Sequence, residues 1–205
     1  EFYIACRSNG IHPILGLTVN LSPPAALLTA PSGPLVLLAL DLGGWRSLCR
    51  ISSNLNGENE TLPFNQLANE TTGLLCLSGG TYSTLNTLIT TQQTHLAQHW
   101  LSLLADLYPR RLYVELNHHS PEDEQLNTSL AMLAHRSRIP IVAAHPVHYL
   151  TRDQWELQRV ATAIRMNRPI SELPPQSTAP PQAYFTTQEE MQSRFALFPA
   201  ALERT

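Results

Sequence analysis

The sequence predicts an α/β fold. Short, uniformly apolar, β-prone runs alternate with amphipathic helical stretches through most of the 205 residues. The apolar fraction of 43% suffices for one substantial core. No apolar run is long enough to span a bilayer, which sets aside a membrane protein of the helical kind.

The elements follow in order. The chain opens at Glu1-Phe2-Tyr3-Ile4-Ala5-Cys6 as if inside a helix, and Asn9-Gly10 stops it, so the sequence reads as a piece of something longer. Strands are predicted at Ile14–Leu21, Leu35–Leu40, Leu74–Leu77, Leu112–Leu116 and Ile139–Ala144, apolar enough to be covered on both faces. Helices are predicted at Trp45–Ser53, Thr94–Tyr108, Glu122–Arg136 and Asp153–Met166, giving the rhythm of a parallel sheet or barrel. In the second of these, Leu96, Trp100, Leu103, Leu104 and Leu107 share a stripe, and His95, His99 and Asp106 face water. The third opens with Ser120 as cap, Pro121 at the first helical position and Glu122 and Asp123 against the positive dipole end, and buries Leu126, Leu130 and Leu133. Residues 172–182, with Pro174, Pro175, Pro180 and Pro181, cross the surface as an extended connector. Beyond them Thr187 and Glu190 form a capping box for a short helix carrying Met191 and Phe195.

Charge and cysteine usage narrow the function. The charged fraction of 14% lies below the roughly 25% of ordinary soluble chains, and a net charge of −3 supplies no field for gripping a phosphate backbone. All thirteen basic residues are arginine, which removes Schiff-base chemistry and a phosphate-loop lysine. Cys6, Cys49 and Cys76 are odd in number and widely spaced, and read as reduced core thiols of a cytoplasmic protein. The sequons at Asn59, Asn69 and Asn127 are read as chance.

Four histidines form the candidate site. His118 and His119 follow one predicted strand and His145 and His148 the next, and residues just past the carboxyl ends of parallel strands converge on the rim where ligands bind. The competing reading buries His148, hydrogen-bonded beside Tyr149, and leaves His118 and His119 as loop residues in water; no carboxylate adjoins His145 or His148, as a hydrolytic metal site would need. Glu115 points either toward that rim or to the polar side of an edge strand. The Ser78-Gly79-Gly80-Thr81 turn resembles a small backbone anion cradle, but two adjacent glycines far more often make a plain tight turn.

Several segments carry a family resemblance. Gly10-Ile-His-Pro-Ile-Leu-Gly16, Leu37-Leu-Ala39 followed by Gly44–Ser53, Gly73–Gly79, Leu112-Tyr-Val-Glu-Leu116, Ile139–Leu150, Tyr184–Met191 and Phe198–Thr205 occur in the order seen in the PHP (polymerase and histidinol phosphatase) domain of bacterial DNA polymerase III alpha subunits. The sequence resembles that domain along essentially its whole length.

The resemblance implies an irregular seven-stranded β/α barrel whose rim can hold metal ions for phosphoester hydrolysis. It also implies that this chain lacks the opening strands with their His-x-His and Asp-His pairs. Thr18 stands where the family has a liganding carboxylate, Pro34 where a histidine begins a strand, Gly80 where a cysteine follows Ser-Gly, and Pro146 where an aspartate precedes the retained His148. Threonine, proline and glycine cannot replace imidazole, thiolate or carboxylate around a metal. The implied organisation is a PHP-like core over 1–170 without its first strands, a Pro-rich connector over 171–183, and a helical segment over 184–205 leading toward a polymerase body. The implied function is a scaffold portion of a replicative DNA polymerase, a nucleotidyltransferase whose catalytic residues lie outside this chain. No cofactor is expected, with weak zinc or manganese at His148, His145, His118 and His119 at most. The implied partners are the palm and thumb of the same polypeptide and, through it, other replisome subunits, with no direct nucleic-acid or membrane binding. The alternatives are an error-prone alpha paralogue, a stand-alone metal-dependent phosphoesterase with a rearranged histidine site, and a metal-free interaction module with a broad apolar patch.

Overall fold

A computed structural model describes residues 1–27, 29–55, 61–174 and 177–205. Asn59 and Pro175 lie outside the described residues. The α/β class is present, as a six-stranded mixed sheet with nine α-helices among the described residues. The strands are β1 (Gly16–Ser22), β2 (Gly33–Ala39), β3 (Leu62–Pro63), β4 (Leu74–Leu77), β5 (Leu112–Asn117) and β6 (Ile141–Ala144), in the order β3-β1-β2-β4-β5-β6.

The expected parallel sheet is corrected to a mixed one. β1 and β2 pair antiparallel with Val19 opposite Leu35, β2 and β4 antiparallel with Leu37 opposite Cys76, and β1–β3 and β4–β5 are parallel. Residues 23–32 joining β1 to β2 are too few for the crossover of about a dozen residues that a parallel pair needs. The coverage of the strands is corrected with it. β1, β2 and β4 alternate buried with half-buried or exposed residues, as antiparallel strands do with one face packed, whereas β5 is buried continuously from Val114 to Asn117.

The chain divides into two compact units: Glu1–Glu115 with Thr128–Ile141, and Leu116–Asn127 with Val142–Thr205. In the first, α1 (Phe2–Ser8) buries no side chain and stops where Gly10 turns to φ +71°. α2 (Leu42–Asn54) starts at the Asp41 carboxylate, which accepts from Gly44 N–H at 2.8 Å, and buries Leu48 and Ile51. α3 (Phe64–Ala68) sets Phe64 5.8 Å from the Trp100 ring. α4 (Thr84–Thr90) is capped by the Ser83 hydroxyl and buries Leu85 and Leu88. α5 (Thr94–Leu107) buries Trp100 and Leu104 of the predicted stripe together with Ala97 and Leu101; Leu96, Leu103 and Leu107 are its half-buried shoulder, and His95, His99 and Asp106 are exposed as expected. Each fully buried leucine contributes about 1.5–3 kcal/mol. α6 (Asp123–Arg136) carries Leu130 and Leu133 into this core. Cys76 is buried but Cys6 is half-buried and Cys49 exposed, so only one of the thiols belongs to the core.

The second unit is built around Tyr149, Ala179 and Ala183, with Trp155 and Tyr184 packed on them. Its helices are the first turn of α6, then α7 (Gln154–Met166), α8 (Gln188–Arg194) and α9 (Pro199–Leu202). The expected connector is not a bare surface crossing. Residues Ile170–Glu172 form a 3₁₀ turn, Ala179 and Ala183 are buried, the Tyr149 hydroxyl donates to Pro180 O, and Trp155 Nε1 donates to Ala179 O at 3.2 Å. Buried Asn127 donates to Asn117 O, so that sequon is not presented at the surface. The capping box forms as predicted, with Thr187 Oγ1 accepting from Glu190 N–H and Glu190 Oε2 from Thr187 N–H. Among the described residues no helix is long and apolar enough to cross a membrane.

Candidate functional site

The site lies in the second unit, where β5 and β6 end. His118 and His119 follow β5 and are half-buried, not loop residues in water. The turn after them is held by Asp123, whose Oδ2 accepts from the N–H groups of His119 and Ser120 at 2.8 and 2.9 Å. Asp123 thus reaches back from the first turn to the Ser120 N–H, the reciprocal half of the capping arrangement expected at Ser120, and the helix opens at Asp123 instead of Glu122. The His118 ring stands edge-on to Phe195 at 5.9 Å. The His119 ring meets His145 at 5.2 Å between centroids, and its buried Nδ1 has no hydrogen-bond partner. Burial foremost, then the neighbouring His145, lowers the His119 pKa to about 4 against the raising influence of Asp123.

His145 has both ring nitrogens engaged. Nε2 lies 2.8 Å from Tyr184 O and Nδ1 3.3 Å from Arg194 Nη1. A carbonyl only accepts and a guanidinium only donates, so Nε2 carries the hydrogen and Nδ1 the accepting lone pair. Burial, more than the Tyr184 carbonyl opposes, holds the His145 pKa below that of free imidazole.

His148 does not join them. Its side chain is exposed, neither buried beside Tyr149 nor turned into the cluster, because its backbone N–H pairs with Ala183 O at 2.8 Å and the segment runs alongside residues 183–185. Thus the structure brings together His118, His119 and His145, and adds Arg194, Tyr184, Glu190 and Phe195. No signal in the sequence placed those four near the histidines beyond the capping box that fixes α8. Glu115 lies in the first unit, buried near Cys76, whose thiol is pushed up by burial and by that carboxylate; its N–H donates to Ser78 Oγ at 2.9 Å. The Ser78–Thr81 turn is a tight turn: Gly79 and Gly80 have φ +94° and +70°, and Gly79 is pressed on the Pro34 carbonyl.

A family model described as the PHP domain matches residues 1–119. This chain belongs to the PHP domain family. The chain is also similar to the DNA polymerase III subunit alpha of Neisseria meningitidis serogroup B, 27% identical over 213 residues that make up 100% of this chain and 18% of that protein. Against the DNA polymerase III subunit alpha of Bacillus subtilis it is 26% identical over 204 residues, 99% of this chain and 18% of that protein. The Haemophilus influenzae subunit gives 26% over 211 residues, with 100% and 18% covered. The chain thus spans about a fifth of the length of the relatives it matches (18%).

PHP domains typically bind metal, and the residues here do not fit one. Among the described residues no group of three or more His, Cys, Asp or Glu side chains is placed to hold an ion. Thr18 is exposed on β1, Pro34 is in β2, and Gly80 and Pro146 supply no donor. His145 would have to give up the Arg194 hydrogen bond before it could ligate.

Proposed function

We propose that this chain is the PHP-domain portion of a bacterial DNA polymerase III alpha subunit, acting as a scaffold and not as a hydrolase. The observation that carries this reading is the similarity of the whole chain to less than a fifth of each polymerase subunit it matches (18%). The larger protein would extend DNA by nucleotidyl transfer in the cytoplasm, with its catalytic residues outside this chain. Residues 1–170 are the PHP-like core, a seven-stranded barrel once completed by further strands, 171–183 the connector, and 184–205 the segment leading toward the polymerase body.

The surface supports a scaffold. α7 exposes Leu157 at 67%, Val160 at 39% and Ile164 at 75%, at the three- and four-residue spacing of one helical face. Leu150 and Phe185 of the same unit are exposed as well. Such a face fits packing against the rest of a long polypeptide, palm and thumb in particular. A stand-alone phosphoesterase using His118, His119, His145 and His148 is disfavoured by the engaged nitrogens of His145 and the outward His148. An error-prone alpha paralogue would share this domain.

The test is the gene. Its full-length product is expected to extend a primed template with deoxynucleoside triphosphates, and Leu157→Asp with Ile164→Asp to reduce that activity while the melt of the 205-residue chain stays unchanged. A gene encoding no polymerase beside this domain would overturn the reading.

A further inference from the structure

The histidine cluster where β5 and β6 end has a guanidinium in it. Arg194, the last residue of α8, donates to His145 Nδ1 at 3.3 Å and to the Tyr184 hydroxyl at 3.4 Å, and lies over the Tyr184 ring at 5.6 Å. The Tyr184 hydroxyl donates a hydrogen bond to Glu190 Oε1 at 2.8 Å, and the capping box fixes Glu190 through its other oxygen. The next residue, Phe195, is fully buried against His118. The Arg-Phe pair at the end of one helix thus meets both histidine loops, and the guanidinium is held on several sides.

We propose that Arg194 is the cation that organises this histidine cluster, and that by occupying the lone pair of His145 it keeps His145 and His119 from forming a transition-metal site. A metal ligand must offer a lone pair. The Tyr184 carbonyl fixes the hydrogen of His145 on Nε2, so Nδ1 is the one lone pair that ring has, and Arg194 takes it. His119 lies beside it, its ring tilted by 46° and its Nδ1 free of hydrogen bonds, and is the second imidazole that a metal would recruit once Arg194 is gone. Arginine suits the role because it stays charged and its fork serves the imidazole and the Tyr184 hydroxyl together, which a lysine point charge cannot do. The inference rests on the geometry of the rim and stands whether or not the chain is part of a polymerase.

The experiment uses the 205-residue chain freed of metal by chelator, with zinc and cobalt as probes. In the wild-type chain, long-range ¹H–¹⁵N spectra are expected to show His145 as the Nε2–H tautomer with a hydrogen-bonded Nδ1. In Arg194→Met, or Arg194→Leu if that variant folds better, the Nδ1 resonance moves to that of an unbonded imidazole nitrogen. Zinc affinity in the Met variant rises at least about tenfold, a typical effect of changing a ligand's hydrogen-bond partner, and falls back when His145→Ala is added. Arg194→Lys restores only part of the wild-type spectrum. Observation of the Nδ1–H tautomer in the wild-type chain, or zinc affinity unchanged by loss of Arg194, would overturn the proposal; the tautomer measurement needs no variant and decides the matter even if every variant unfolds.

Discussion

Gly79 is where the first unit tolerates least. It sits just past the end of β4 at φ +94°, and a Cβ built on it lies 1.9 Å from the Pro34 carbonyl oxygen, 2.5 Å from its carbon and 3.1 Å from Leu35 Cα. Those atoms belong to the backbone of β2, which is paired on both sides, so they cannot retreat without disturbing the β1–β2 or β2–β4 ladder. The left-handed conformation alone costs an L-residue roughly 1–2 kcal/mol. Forcing the extra carbon into a packed contact adds roughly 1–3 kcal/mol. Gly79→Ala is therefore expected to cost roughly 2–5 kcal/mol, a large share of a domain stability of about 5–15 kcal/mol, and to lower Tm by roughly 5–15 °C. Gly10→Ala is the control, because Gly10 has φ +71° but nothing within 4 Å of its Cβ position. It carries the conformational strain without the collision, so its cost is no more than the roughly 1–2 kcal/mol of the left-handed conformation, and less where α1, which buries no side chain, relaxes. Thermal melts and urea titrations of the two variants separate strain from collision. If Gly79→Ala cost no more than Gly10→Ala, the close approach of this turn to β2 would be wrong.

Leu130, 1% exposed, contrasts with exposed His95 in the same unit: Leu130→Asp should cost several kcal/mol and unfold the chain in a melt, whereas His95→Ala should stay within about 0.5 kcal/mol of wild type. Equal melting temperatures would show that the wrong face of α6 has been assigned to the core. His119 sets a pH dependence. Its folded pKa of about 4 lies below the 6.5 of the free group, so between those values the unfolded chain binds the extra proton and stability falls as the pH drops from about 6.5 to about 4. Denaturant titrations at pH 7 and pH 5 should show a smaller loss for His119→Gln than for wild type; an identical loss would contradict the half-buried, neutral imidazole.

What the residues disclosed depended on distance along the chain. β2 and β4 were legible because leucine-rich runs between turn residues have few other readings, and the α8 capping box because it is a four-residue pattern. α4 was missed because Thr84–Thr90 is β-branched at more than half its positions, and its helix is started by Ser83 and held by burial of Leu85 and Leu88. β3, two residues long, has no periodicity to read. The antiparallel β1–β2 pair left a signal in the short 23–32 connection that the apolar pattern of the strands obscured. In the site, neighbours in sequence were a poor guide. His145 and His148 are three apart yet part company, while the groups that do meet His145, from Tyr184 and Arg194, are 39 and 49 residues away. Such long-range hydrogen bonds leave no local periodicity.

The most direct test of a scaffold whose rim is organised by its own side chains is hydrolysis itself. Purified chain is incubated with manganese or zinc and either p-nitrophenyl phosphate or a 3′-labelled primer–template, and product is followed to many enzyme equivalents. Turnover indistinguishable from the buffer and metal background is the expected result. Metal-dependent turnover that disappears in His148→Ala would mean that a hydrolytic site assembles around the outward histidine, and the scaffold account would fail.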